Sequence, residues 1–365
     1  MTIFKKYLLL TFFVAFLNLL IILFFFVPRL NATDSAQYIS TILHLSGDHS
    51  ETLYPFRVIN PLPVLIGAIL SPFMSASATL ILQNIFFYFG SVLVIFLLIN
   101  SVYKNEKQAF YGAILFSTAY PVMAYGLSPL TDFSGWFFYI LCIYLTVRFF
   151  KKPILRKSFL IGLLGGIGML FKENLAALPI FFFVFVFVCA NFSLRNKVRH
   201  ICVFLLAFFL PVITSEVMIY HFFSYSMIQW YLNVSLTHGN SFIYAYSPLR
   251  IVIEIARVFS FGWIFFLAGL IREIRTKDKN RTKILISLIL PSLSFFLWAF
   301  PHNRIAFISA PLIILLGSFG FIELFKNNKY SRYIEITLLF FYIFINYFLV
   351  EFLLKYGDAL RIYFK

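Results

Sequence analysis

The sequence predicts an all-α polytopic membrane protein with about eleven transmembrane helices, and three observations carry that reading. The chain of 365 residues is 61% hydrophobic and 21% aromatic with only 12% charged residues, which excludes an ordinary soluble domain. Its apolar residues fall in runs of about 20, the length needed to cross a hydrocarbon layer of about 30 Å. Its basic residues, which give a formal net charge of +16, sit in short clusters between those runs. In a soluble chain that charge would point to nucleic acid. Here it matches the cytoplasmic-loop signals and anionic-headgroup contacts of a membrane protein, and no nucleic-acid partner is expected.

In order, the apolar runs are 7–27, 79–103, 108–127, 133–150, 158–171 and 174–192, then 200–223, 251–271, 284–300, 305–325 and 333–354. Lys5 and Lys6 precede the first run as in a signal peptide. That run is too long for a signal core and lacks a small-residue cleavage site, so it reads as a spanning anchor. The run 158–171 is short and glycine-rich (Gly162, Gly165, Gly166, Gly168), a composition that lets one helix approach another closely. The shortest run, 61–73, is bracketed by Pro61, Pro63 and Pro72.

Charge decides whether 61–73 spans. With Lys5 and Lys6 inside and 61–73 lying at or returning to the interface, 21 of the 30 Lys and Arg fall in cytoplasmic loops. If 61–73 crossed, every later cluster would be outside, against the positive-inside rule. The expected topology is therefore N-terminus cytoplasmic and C-terminus outside, in one integral-membrane domain over 1–365. Outer loops cover 28–78 and 224–250. Cys142, Cys189 and Cys202 lie within apolar runs and read as small core residues. The sequons at Asn31, Asn191 and Asn233 carry little weight, because such triplets arise by chance.

On this topology Asp34, Arg57, Asp132, Lys172, Glu173, His238, His302 and Arg304 all fall on the outer side. Ionisable groups at span mouths are costly unless paired or functional. Asp34 stands a few residues past the first span and is a candidate base for a hydroxyl substrate; it is equally suited to capping the short helix that follows. Tyr38, Ile42 and Leu45 follow it at helical spacing. Asp132, in Ser128-Pro129-Leu130-Thr131-Asp132, could bind a sugar hydroxyl, hold a metal or cap the next span. Lys172-Glu173 is either a plain outer turn or a site pair. Arg304 and Arg57 oppose the topology rule, which points to an anionic partner. Three cations (Arg57, Lys172, Arg304) near one acid suit an anionic leaving group such as a phosphate. His44, His49 and His238 have no metal-ligand spacing.

The layout resembles the GT-C glycosyltransferases. The loop that opens with Asp34 and continues through Tyr54-Pro55-Phe56-Arg57 and Pro61 is similar to that family's first outer loop. Similar too are Tyr120-Pro121 ahead of Ser128–Asp132, the glycine-rich stretch leading to Phe171-Lys172 and Pro179, and Arg304 ahead of Ala310-Pro311. The match covers about two thirds of the chain through short motifs in a shared order. The chain departs from the family in two places: it has no large C-terminal soluble domain like that of oligosaccharyltransferases, and Ser35 rather than a second acid follows Asp34.

The resemblance implies a GT-C-like fold whose outer first loop carries short interfacial helices. It also implies a polyprenyl-phosphate-linked sugar donor entering from the bilayer, and a glycan, lipid or protein acceptor arriving from outside. Asp34 would be the catalytic base, Arg57, Lys172 and Arg304 would hold the donor phosphate, and Asp132, Glu173 and His302 would bind substrate. No metal site is readable, and the resemblance leaves a divalent cation open. Trp230, Tyr231, Tyr244 and Tyr246 could stack on sugar rings or simply anchor the interface. Two other readings stand beside this one. A transporter or flippase for lipid-linked saccharides would place charge near the midplane, where Glu216 and Glu254 are the only acids. An O-antigen-type polymerase would use paired outer arginines, for which Arg250 alone is a poor match.

Overall fold

The computed structural model describes residues 2–25, 32–149, 154–233, 248–297, 302–326 and 330–363. Every regular element among them is helical. In chain order these are α1 (Ile3–Phe25), α2 (Ala32–Leu45), α3 (Pro55–Val58), α4 (Pro61–Leu70), α5 (Ala76–Tyr103) and α6 (Glu106–Ser117). Next come α7 (Tyr120–Tyr125), α8 (Asp132–Phe149), α9 (Leu155–Met169), a 3-10 turn (Glu173–Ala177), α10 (Leu178–Cys189), α11 (Leu194–Phe223) and α12 (Met227–Asn233). The last group is α13 (Pro248–Phe259), α14 (Gly262–Thr276), α15 (Lys279–Leu293), α16 (Asn303–Ala306), α17 (Ala310–Glu323) and α18 (Ser331–Tyr363).

Apolar runs outnumber long, unbroken helices. Among the described residues five helical stretches are long and apolar enough to cross a membrane: Ile3–Phe25, Ala76–Tyr103, Leu194–Phe223, Asn303–Glu323 and Ser331–Leu353. A sixth counts if Ile251–Phe259 and Gly262–Thr276, bent by 82°, form one span. Local chemistry explains the breaks. The run 108–127 divides after Ser117 because Pro121 has no N–H to donate, and its ring would clash with the carbonyl four residues back; the proline instead opens α7. The run 251–271 breaks at Ser260, whose φ of 42° is left-handed. Helix α4, with ten residues, rises about 15 Å, half of what a crossing needs.

Interhelical hydrogen bonds tie α1 to the bundle: Asn18 Nδ2 donates to the Ser117 carbonyl (2.7 Å) and Tyr88 Oη to the Ala15 carbonyl (2.9 Å). Where lipid replaces water, such bonds and close backbone packing hold helices together. Glycines supply the close packing. A Cβ at Gly162 or Gly166 of α9 would collide with the α11 carbonyls of Phe204 and Phe208, and one at Gly320 of α17 would strike the Phe265 carbonyl of α14.

The segment that follows α1 has its own small core. Tyr38 and Ile42 of α2 pack with Val64, Ala76, Leu80 and Leu130, with Leu45 at the edge. Asn84 Nδ2 donates to the carbonyls of Ser128 (2.7 Å) and Leu130 (2.9 Å). This fixes the turn from which Thr131 and Asp132 enter α8. The end of α9 is joined to α4 by the Leu62 N–H to Leu170 carbonyl bond (3.3 Å).

Candidate active site

Asp34 lies in the first turn of α2, which begins at Ala32. It is therefore inside the helix rather than at the cap position, and its carboxylate faces away from capping work. Gln37, one turn on, shares its face. Both reach Arg57 of α3, whose Nη2 donates to Asp34 Oδ1 and to Gln37 Oε1 while its Nε donates to Gln37 Oε1 at 3.1 Å. The guanidinium also lies over the rings of Tyr38 (4.8 Å) and Phe56 (5.0 Å), so its plane and position are set on several sides. Tyr54 N–H, bonded to Thr41 Oγ1 at 3.3 Å, holds α3 against α2.

Arg304 of α16 reaches the other Asp34 oxygen, with Nη2 to Oδ2 at 3.2 Å. Its Nη1 lies 3.7 Å from Asp132 Oδ2. Asp132, almost fully buried at the start of α8, is 3.6 Å from Lys172 Nζ through Oδ1. Lys172 is also 3.4 Å from Glu173 Oε1, and Glu173 Oε2 accepts from Asn60 Nδ2 at 2.9 Å. One unbroken chain of charges thus runs Glu173, Lys172, Asp132, Arg304, Asp34, Arg57, alternating in sign. It draws on α2, α3, α8, α16 and the turn after α9, five separate parts of the sequence.

The electrostatics follow from this arrangement. Burial pushes the Asp34 carboxyl up, but the guanidinium groups of Arg57 and Arg304 outweigh it and hold it below the usual carboxylate range. Burial likewise pushes the Lys172 ammonium down, yet Asp132 and Glu173 beside it win and hold it above the ordinary lysine value. Several buried atoms around the chain have no hydrogen-bond partner, among them Asp132 Oδ2, Arg304 Nε, Asn60 Oδ1 and Asn303 Oδ1. Such atoms are rare in a packed interior, and here they cluster along the charge chain.

His302 sits beside this chain rather than in it. Its Nδ1 accepts the Arg304 N–H at 3.2 Å, capping α16, and its ring lies 5.4 Å from that of Tyr125. Burial pushes its pKa down to about 4, in keeping with a neutral ring whose Nδ1 is an acceptor. Among the described residues no group of three or more His, Cys, Asp and Glu is placed to hold a metal ion. His44 and His49 contact each other edge to face (5.2 Å). Trp230 packs beside Phe56, Ile59 and Met227; His238, Tyr244 and Tyr246 lie outside the described residues.

The two acids that a transport reading would need at the midplane have other partners. Glu216 accepts from Ser226 Oγ (2.6 Å) and the Met227 N–H (2.9 Å), which holds the start of α12. Glu254 of α13 accepts from the N–H and the side chain of Asn303. Gln37, Asn60 and Glu254 were not singled out from the sequence as site residues. Gln37 alone carried a local signal, its i+3 spacing from Asp34.

Comparison with known proteins gives one family profile and a set of solved structures of similar fold. The profile of the dolichyl-phosphate-mannose-protein mannosyltransferase family matches residues 62–215, a stretch that contains Asp132, Lys172 and Glu173. No curated protein matches the sequence. Among solved structures, the chain is similar to an archaeal oligosaccharyltransferase, AglB from Archaeoglobus fulgidus, in complex with an inhibitory peptide and a dolichol-phosphate. The TM-score is 0.62 at 15% identity, covering 96% of this chain and 56% of that one. A crystal structure of the Archaeoglobus fulgidus oligosaccharyltransferase with zinc and sulfate gives 0.58 at 14% identity, covering 96% and 52%. One tethered to an acceptor peptide containing the NVT sequon gives 0.57 at 14%, covering 96% and 54%. The chain spans about half the length of these structures. The profile match spans less than half of the chain, and the solved structures, at 14–15% identity, show a shared fold.

Proposed function

We propose that this protein transfers a sugar from a polyprenyl-phosphate-linked donor to an acceptor at the outer face of a cell membrane. The observation that carries the reading is the alternating charge chain from Glu173 to Arg57, assembled from distant parts of the sequence around Asp34. Sugar transfer has two charge problems, a hydroxyl proton to remove and a phosphate to release, with a cationic sugar centre between them. Asp34 takes the acceptor proton as the acceptor oxygen bonds to the sugar C1 and the C1–O bond to phosphate breaks. Arg57, Arg304 and Lys172 hold the departing lipid phosphate. Asp132, Glu173 and His302 line the sugar side, Asp132 with a buried oxygen that has an ion-pair but no hydrogen-bond partner.

The proposed setting is a multi-pass domain over 1–365 with about eleven crossings or partial crossings, N-terminus cytoplasmic. Helices α2 to α4 lie at the outer interface, a placement supported by the shortness of α4. The lipid-linked donor is also in keeping with the family profile and with the dolichol-phosphate in the AglB complex. The test is transfer by the purified protein in liposomes from polyprenyl-phosphate sugars to glycan, lipid and peptide acceptors. Donor consumption that is abolished in Asp34→Asn is the expected result. Counterflow of a lipid-linked saccharide with no bond broken would overturn the reading in favour of transport.

A further inference from the structure

Arg304 is the hinge of the charge chain, since among the described residues it alone pairs with both Asp34 and Asp132. It sits in the four-residue turn Asn303–Ala306 that opens the helical stretch Asn303–Glu323, where helix ends fray unless their free N–H groups are capped. Three contacts hold that helix at its start. One is the His302 cap on the Arg304 N–H. The other two end on one oxygen: Glu254 Oε2 accepts the Asn303 N–H at 3.1 Å and Asn303 Nδ2 at 2.6 Å.

Glu254 belongs to α13 and as a residue is 7% exposed, with Asn303 at 1%. Its second oxygen accepts from Arg257 Nη1 at 2.9 Å. A carboxylate buried at this depth is costly unless its lone pairs are filled. Here one oxygen is filled by the backbone and side chain of Asn303, the residue immediately before Arg304, and the other by Arg257. Val258 and Phe259, each 1% exposed, anchor the end of the same helix in the core. The carboxylate is therefore fixed to a rigid element on one side and to the Arg304 main chain on the other.

From this geometry we infer that Glu254 is a positioning residue for Arg304, setting where its guanidinium stands between Asp34 and Asp132. The inference rests on the proposed role of Arg304 toward the donor phosphate. Glu254 touches no reacting atom in this account; it acts through Asn303. Displacing a substrate-gripping group by about 1 Å can cost about a hundredfold in rate, so Glu254→Ala should lower transfer by about 10- to 100-fold. The loss should appear in the KM for the donor while the acceptor KM stays put. Asn303→Ala should behave alike, because the contact runs through it. Glu254→Gln keeps an oxygen for Asn303 and should recover most of the activity.

The deciding experiment is a double-mutant cycle with Arg304→Ala, using purified, correctly inserted protein and a polyprenyl-phosphate sugar. If Glu254 works through Arg304, adding Glu254→Ala to Arg304→Ala lowers transfer no further; two full, multiplying losses would overturn the inference. Should Glu254→Ala fail to insert, Asn303→Ala and Glu254→Gln run the same cycle. A readout free of the functional reading is the rate at which phenylglyoxal modifies Arg304, measured by peptide mass spectrometry. It should rise several-fold in Glu254→Ala or Asn303→Ala and stay near wild type in Glu254→Gln. Unchanged modification overturns the positioning role even if no donor is ever found, whereas a wild-type protein that transfers nothing counts against the proposed function alone.

Discussion

Replacing Asp34 by Asn separates chemistry from architecture, because the two effects differ widely in size. Asp34 is 38% exposed on its side chain and pairs with Arg57 and Arg304. Ion pairs at that exposure are screened by solvent and contribute about 0.2–1 kcal/mol each. Both arginines keep other partners, Gln37 and two aromatic rings for Arg57 and Asp132 for Arg304. The structural cost of Asp34→Asn should therefore be about 1 kcal/mol or less, a melting shift of about 2 °C or less in a chain of this size. Because Asp34 lies inside α2 rather than at its cap, no capping loss is added. As a base, however, Asn is useless, and general-base loss costs about 10²–10⁴ in turnover, about 3–5 kcal/mol of barrier. The assay is transfer by purified protein run beside thermal unfolding, with donor binding measured separately. Expected is a stable protein that binds donor and turns over at least about a hundredfold more slowly; Asp34→Glu, which moves the charge by a methylene, should be nearly as impaired. A stable Asp34→Asn enzyme with full activity would refute the base assignment.

The cations give a second prediction: Arg304→Ala and Lys172→Ala should cut transfer strongly in inserted protein. Arg304→Lys should also be impaired, since an ammonium cannot bridge Asp34 and Asp132 or grip a phosphate with two parallel bonds; near-normal rates in Arg304→Ala would remove it from the site. His302 has a lowered folded pKa of about 4 against an ordinary 6.5, so between those values the unfolded state binds more protons. Its contribution to stability is full above about pH 6.5 and is lost as pH falls toward 4. His302→Asn keeps a capping oxygen without a titrating ring and should flatten that acid limb, while identical pH profiles would count against it. Gly320→Ala would drive a methyl into the Phe265 carbonyl and should cost about 1–3 kcal/mol of stability through overpacking, read as a lowered melting temperature; an unchanged melt would mean α14 and α17 are not so close. Finally, cysteines at positions 77 and 104 should be labelled from outside and from the cytoplasm respectively, and the reverse pattern would overturn the proposed topology.

The membrane class was legible from composition, and the glycine-rich run marked a close helix contact before any coordinates were known. Helix lengths were less legible. Hydropathy reports whether a residue tolerates lipid, and says nothing of the break before Pro121 or the left-handed Ser260. The ionisable residues at span mouths stood out because charge is rare in this chain. That Asp34 meets Arg304, 270 positions away, is a property of tertiary packing with no local trace. Neutral members of the network escaped notice for a different reason: Gln37 and Asn60 are ordinary loop and helix residues until a charged partner is placed beside them. Glu254 was noticed only as an acid inside an apolar run, because its contact with Asn303, 49 positions away, leaves no trace in the sequence.

Every cation of the charge chain already has a carboxylate partner, and this bears on how the proposed reaction would be ordered. With Arg57 and Arg304 both on Asp34, the carboxyl is held below its usual range, which makes it a weak base as it stands. A donor phosphate arriving beside the two arginines competes with Asp34 for the same N–H groups, and phosphate accepts such paired bonds well. Each bond moved to the donor returns basicity to Asp34. The same contacts that grip the leaving group would then strengthen the base, so proton removal from the acceptor is favoured when a donor is in place and disfavoured when it is not. Lys172 is paired with Asp132 and Glu173 rather than with Asp34, so the bonds it would give to the phosphate are not taken from the base, and its contact with Asp132 keeps that carboxylate in position while Arg304 shifts its bonds.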